Sequence, residues 1–203
     1  MNDQQLLVAN NYMDRNTQGN FIDASLIKKT LKIRDPFSHK GDYGHACIVA
    51  GSYGMMGAAV LSAKACLRSG VGKLTCCIPK TGYDVMQTSV PEAMVKVGGK
   101  KYNKKVDDVN NFDVLGIGPG IGIYRSHEFL LQKIFSEYKK PIVIDADALN
   151  VISANKKLLN AIPAESILTH PKNLKDCLGK GKQILNVQNW LCKCLTNTTS
   201  SLY

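Results

Sequence analysis

The chain has no apolar run approaching the roughly 18 residues of a membrane-spanning helix, which excludes an ordinary helical span and any membrane partner of that kind. Its opening, MNDQQLLVANNYMDRN, lacks a charged start followed by an apolar stretch, so no secretory signal is visible and a cytoplasmic protein is expected. Metal-ligand spacing is missing as well. Of the seven cysteines, Cys47, Cys66, Cys76 and Cys77 lie among apolar residues, where a reduced thiol behaves as a small hydrophobe. Cys177, Cys192 and Cys194 have no partners at zinc spacing, and no protein-held metal is expected. Acidic residues are scarce, 16 against 26 Lys and Arg, for a formal charge of +10. The lysines are nevertheless scattered singly or in pairs, with no basic helix or aromatic-interleaved patch. Residues 172–203 hold five of them against one aspartate. A nucleic-acid partner is therefore not expected, whereas a basic cleft for a dinucleotide phosphate is compatible with the charge.

What is present is ordinary globular composition: 203 residues, 44% hydrophobic and 21% charged, enough for one domain with a real core. Residues 1–33 are polar and irregular until Leu26, Ile27, Leu31 and Ile33, which suit a short amphipathic turn broken by Arg34-Asp35-Pro36. From His45 the pattern changes. HACIVAG reads as a strand and GSYGMMG as a glycine-rich turn. GAAVLSAKACLRSG reads as a small-residue helix closed by Gly70. KLTCCIP is a second strand, with Cys76 and Cys77 on opposite faces. PEAMVKV, DVLGIG, PIVIDADALN and SILTH continue the strands. HEFLLQKIFSEY has helical spacing of Phe129, Leu130, Ile134 and Phe135, and a further helix is expected around Val151–Leu159. The alternation predicts an α/β parallel sheet with helices on both faces.

In such sheets ligands bind beyond the carboxyl ends of the strands, and GSYGMMG, GPGIG, DADALN and THP all fall at that edge. GSYGMMG before a helix offers backbone N–H groups to phosphate, or is simply a tight turn; no Gly-Lys-Ser/Thr makes it a Walker loop. Gly118, Gly120 and Gly122 allow backbone to come close to a flat ring or a phosphate. Asp145 and Asp147, with Asn150 beyond them, suit a metal–water cluster or a ribose hydroxyl, or one aspartate caps the next helix. His39, His45 and His170 are not assigned as bases.

The run PFSHKGDYGHACIVAGSYGMMGAAVLSAKACLRSGVGKLTCCIP closely resembles the opening of the NAD(P)H-hydrate dehydratases. QTSVPEAMV, GIGPGIG, VIDADALN and ILTHP follow in that family's order, so the resemblance covers residues 34–179. It implies a ribokinase-like fold and a metabolite-repair lyase that restores hydrated NADH or NADPH. ADP or ATP would serve as phosphoryl donor, with Mg²⁺. It also implies that Ala58, Ala59, Gly120 and His170 contact the hydrated dinucleotide.

The family's later strands and its Gly-Thr-Gly-Asp loop, which carries the catalytic aspartate and an anion hole, have no counterpart here. The expectation is a truncated and inactive chain: a connector over residues 1–33, a partial dehydratase domain over 34–171, and a tail over 172–203. One choice of codons for Lys172–Gly179, read in a shifted frame, restores what the family places there. That predicts a frameshift near Thr169–Pro171, against a genuinely divergent C-terminus. The alternatives in function are a non-catalytic dinucleotide-binding fragment and a ribokinase-like small-molecule kinase. An open sheet edge predicts low stability or association into a homo-oligomer.

Overall fold

A computed structural model describes residues 33–169, together with Ala24, Ser25 and Lys28. The chain divides into two compact units, Met1–Leu31 and Lys32–Tyr203. In the first, Ala24, Ser25 and Lys28 are helical and exposed. The expected amphipathic turn, the connector and the tail over 172–203 lie almost wholly outside the described residues.

Among the described residues the second unit is built on six strands: β1 (His45–Val49), β2 (Lys73–Pro79), β3 (Met94–Gly99), β4 (Val114–Ile117), β5 (Ile142–Ile144) and β6 (Ile167–Leu168). They lie in the order β3-β2-β1-β4-β5-β6, and every pairing is parallel. Four α-helices follow among the described residues: α1 (Met56–Arg68), α2 (Tyr83–Ser89), α3 (Ser126–Glu137) and α4 (Ala146–Ala154). The α/β arrangement with helices on both faces is as the sequence pattern predicts.

Alternation along the strands sorts side chains into two cores. Ala46, Ala50, Leu74, Cys76 and Ile78 pack with Ala59 and Ala63 of α1 and Met86 of α2. Cys47, Val49, Cys77, Leu115 and Ile117 pack on the other face with α3 and α4. Cys76 and Cys77 thus point to opposite faces, as adjacent strand residues must. Alanines on the inner side of α1 bring that helix close to the sheet. Its end is set by Gly70, whose φ of 99° suits the residue after a helix and whose N–H donates to the Leu67 carbonyl at 3.0 Å.

Two expectations are corrected. Phe129 is 70% exposed, while His127, Leu130, Leu131, Ile134 and Phe135 are buried. The apolar stripe of α3 therefore runs one position away from Phe129. The helix after β5 begins at Ala146, not near Val151, and residues Lys156–Ala161 form a separate 3-10 segment. Asp145 occupies the N-cap position of α4, but its side chain makes no capping bond. The helix α2 and the 3-10 turn Lys80–Gly82 before it were not anticipated by the sequence pattern.

Candidate functional site

The strand order fixes where a ligand can enter. From β1 the chain moves through α1 to β2, and from β4 it moves through α3 to β5 on the other face. Between β1 and β4 the direction of winding reverses, and the crevice beyond their carboxyl ends is the switch point where open α/β sheets bind ligands. Two glycine loops meet there, residues 50–55 after β1 and residues 118–125 after β4.

They are laced together by backbone. Gly51 N–H donates to the Pro119 carbonyl at 2.9 Å, and Gly118 N–H to the Val49 carbonyl at 3.1 Å. The buried Ser52 hydroxyl donates to the Gly120 carbonyl at 2.9 Å. Gly120 has φ 63°, and a Cβ there would stand 2.9 Å from both the Ala58 methyl and the Met55 carbonyl oxygen. Beneath this contact lies the start of α1. Met55 at its N-cap offers no side-chain cap, so the N–H groups of Met56, Gly57 and Ala58 have no intrahelical acceptor and carry the positive end of the helix dipole.

The other candidates fall around the same edge. Gly118 backs directly onto the Asp145 carbonyl, where no side chain fits. Gly122 N–H donates to Asp147 Oδ2 at 2.8 Å, and Asn150 Nδ2 donates to Asp147 Oδ1 at 3.4 Å. Asp145 accepts a hydrogen bond from the Thr169 hydroxyl. Ala58 is therefore brought to Gly120, and Asp147 and Asn150 to Gly122. The side chain of Ala59 is instead buried against Gly51 in the core. His170 lies outside the described residues. His39 and His45 are not brought to this edge: His39 pairs with Asp42, and His45 bonds Thr75 at the amino end of β1 and β2.

Basic residues rim the crevice on the β2–β3 side. Thr81 N–H donates to the Lys100 carbonyl and Tyr53 N–H to that of Lys101, which draws Lys80, Lys100, Lys101 and Lys104 to this edge. Among the described residues none of these lysines forms an ion pair. Lys101 Nζ sits 5.5 Å from the centre of the exposed Tyr53 ring instead. The start of α1 and these lysines both bring positive charge to this edge of the sheet.

With this geometry in place, the comparison with known proteins is decisive. Residues 46–197 match the sequence profile described as NAD(P)H-hydrate dehydratase. This chain belongs to that family. The ADP-dependent (S)-NAD(P)H-hydrate dehydratase of Listeria monocytogenes is 31% identical over 140 residues, covering 68% of this chain and 49% of that protein. The bifunctional NAD(P)H-hydrate repair enzyme of Vibrio cholerae is 35% identical over 159 residues, covering 78% of this chain and 31% of that one. The chain thus spans about half the length, or less, of these curated relatives. Among solved structures, the Bacillus subtilis ADP/ATP-dependent NAD(P)H-hydrate dehydratase, co-crystallised with ATP and Mg²⁺, superposes with a TM-score of 0.62 at 28% identity. That match covers 75% of this chain and 53% of the other. A ribokinase-like superfamily protein of Enterococcus faecalis superposes at 0.67 with 20% identity, covering 82% of this chain and 59% of that one, and shows the fold alone. The ribokinase-like α/β reading of the sequence is thereby confirmed.

Sequence reasoning missed three buried polar residues around this crevice: Ser52, Asn103 and His127. Ser52 sits inside the glycine motif, where the sequence pattern reads only as a turn. His127 precedes Leu130, Leu131 and Ile134 at helical spacing, which was a legible sign that it faces inward. Asn103 lies among lysines, Lys100-Lys101-Tyr102-Asn103-Lys104-Lys105, a context that signals surface. No local pattern marks it as buried.

Proposed function

We propose that the β1–β4 crevice is the dinucleotide side of a nucleotide-dependent NAD(P)H-hydrate dehydratase. The observation that carries this reading is the seating of Gly120 on Ala58 over the uncapped start of α1. A flat ring can lie against glycine backbone there, while phosphate oxygens reach free N–H groups and the lysine rim. In this reading the substrates are hydrated NADH and NADPH, with ADP or ATP as phosphoryl donor.

Hydroxide is a poor leaving group. The ring hydroxyl takes the terminal phosphoryl of the nucleotide, phosphate then departs from the ring carbon, and loss of a proton restores the dihydronicotinamide double bond. This chain's contribution is to hold the ring and phosphates still, since phosphoryl transfer is mostly positioning and charge stabilisation. Magnesium comes with the nucleotide phosphates in this reading. Among the described residues no three metal-ligating side chains cluster, and Asp145 and Asp147 are committed to protein partners. They do not fit a protein-held magnesium site.

A cytoplasmic setting belongs to the same proposal, supported by the free thiols of Cys47, Cys66, Cys76 and Cys77. Self-association belongs to it too, supported by the exposed Met94 and Val97 on the edge strand β3, and solution mass tests it. The test of function is to incubate the full chain with hydrated NADPH, ADP or ATP and Mg²⁺, and follow the return of dihydronicotinamide absorbance. A parallel calorimetric titration omits the nucleotide. Turnover supports the dehydratase reading. Binding without turnover makes the chain a non-catalytic dinucleotide binder, and absence of binding removes the crevice as a dinucleotide site.

A further inference from the structure

The loop that carries Gly120 is held from below by a continuous polar chain. His127, near the start of α3, is fully buried. Its Nδ1 lies 2.8 Å from the Gly122 carbonyl oxygen, and its Nε2 lies 3.0 Å from the Asn103 carbonyl oxygen. Asn103, also fully buried, donates through Nδ2 to the carbonyls of Ala50 at 3.3 Å and Cys77 at 3.0 Å, at the carboxyl ends of β1 and β2. On its other side Gly122 donates its N–H to Asp147 of α4. Tyr102 and Tyr124 stack at 4.0 Å between ring centres, and the His127 ring meets both edge-on. The imidazole therefore has one orientation, and it ties the ends of β1 and β2 to the last glycine of the loop that crosses the switch point.

We propose that His127 is a positioning residue. Through the Gly122 carbonyl it fixes the loop from Gly118 to Gly122 over the start of α1, and so sets affinity for the dinucleotide. The last clause rests on the reading of the crevice given above; the fixing of the loop does not. A buried histidine can be purely structural, holding α3 to the loop with no bearing on the site. The two ring nitrogens separate these cases, because their partners differ. Asparagine places an N–H near the position of Nδ1 and so keeps the bond to Gly122. Glutamine reaches the position of Nε2 and so keeps the bond to Asn103. Both partners are carbonyl oxygens, which only accept, so a ring with one N–H bonds one of them at a time. Each replacement keeps a donor toward one carbonyl and removes it from the other, and a merely structural role is indifferent to which.

The experiment uses the full chain carrying His127→Asn or His127→Gln, with two readouts. Amide hydrogen exchange at Gly120, Ile121 and Gly122 needs no ligand. Titration with hydrated NADPH reads the site. H127N is expected to keep slow exchange and to bind within about threefold of the unchanged protein. H127Q is expected to exchange at least tenfold faster in the loop and to bind at least tenfold more weakly, with similar melting temperatures for the two variants. Equal exchange in the two variants overturns the proposal, whatever they bind. If the unchanged chain does not bind hydrated NADPH, the functional reading falls while the exchange data still decide the loop. Should neither variant fold, Asp147→Ala releases the other side of Gly122 from a partly exposed position. Unchanged loop exchange in that variant is expected, because His127 still holds the Gly122 carbonyl, and exchange at least tenfold faster shows that α4 holds the loop instead and overturns the proposal.

Discussion

Gly120 and Ala58 approach so closely that a methyl group added at 120 would stand 2.9 Å from the methyl of Ala58. The contact joins the loop after β4 to the first turn after β1, across the place where the sheet reverses. Gly120→Val should therefore act twice. A β-branched residue at φ 63° is strained by about 1–2 kcal/mol, and its side chain displaces the loop from α1. The expected outcome is a lower melting temperature together with at least tenfold weaker binding of hydrated NADPH, read by calorimetry. Unaltered binding in a folded G120V protein removes this contact from the site.

The two faces of α3 give a paired test of packing. Leu131 is fully buried while Phe129 is 70% exposed. Leu131→Ala should cost about 2–5 kcal/mol, through lost transfer energy and the cavity left behind. Phe129→Ser should stay within about 0.5 kcal/mol. Denaturant unfolding of the two variants measures both, and comparable losses contradict the facing described for this helix.

Ala146 starts α4 with φ 43°, a left-handed conformation that favours glycine. It is exposed, so its methyl contributes little packing. Ala146→Gly relieves roughly 1–2 kcal/mol of strain against roughly 0.5–1 kcal/mol of added unfolded-state entropy. A rise of a few degrees in melting temperature is expected. A fall shows that the turn from Asp145 into the helix is held in some other way.

Burial raises the thiols of Cys66 to about 11 and of Cys76 to about 12. It likewise raises that of Cys77 to about 12, with the Asp107 carboxylate adding to the effect. The unfolded chain releases these protons near pH 9, whereas the folded chain keeps them. Stability is thus complete below about pH 9 and falls as pH rises from there toward 11–12. Melting temperatures recorded across that window should decline steeply, and less steeply in a Cys76→Val variant. Thiol reagents at pH 8 should react with the buried Cys76 and Cys77 only as the fold opens. Immediate labelling at Cys76 or Cys77, located by peptide mapping, contradicts this burial.

At the other end of the sheet, burial and the nearby Lys73 charge lower the pKa of His45. The folded state thus favours the neutral ring, and the associated stability is lost as pH falls below about 6.5. The melting temperature is expected to drop through that range by less in His45→Gln than in the unchanged chain.

The sequence by itself determined where the strands and the helices α1 and α3 run, because that information is local. Apolar runs bounded by Gly and Pro marked β1, β2 and β4, and Gly70 marked the end of α1. Adjacent strand residues must alternate faces, so the separation of Cys76 from Cys77 could be read directly. The ordered glycine motifs carry the family resemblance in the sequence itself. The strand order was not legible in this way, since which strands are neighbours depends on contacts between residues far apart in the chain. The switch point between β1 and β4 exists only in that order. The same holds for the polar chain from Asn103 through His127 to Gly122. Asn103 looks like a surface residue among lysines; its amide acquires buried partners only at the ends of β1 and β2, and its carbonyl only when α3 packs against the sheet. Local periodicity also let Phe129 pass for a core residue. The tertiary structure decided otherwise, because the position of the sheet beneath α3 selects which face of that helix is buried.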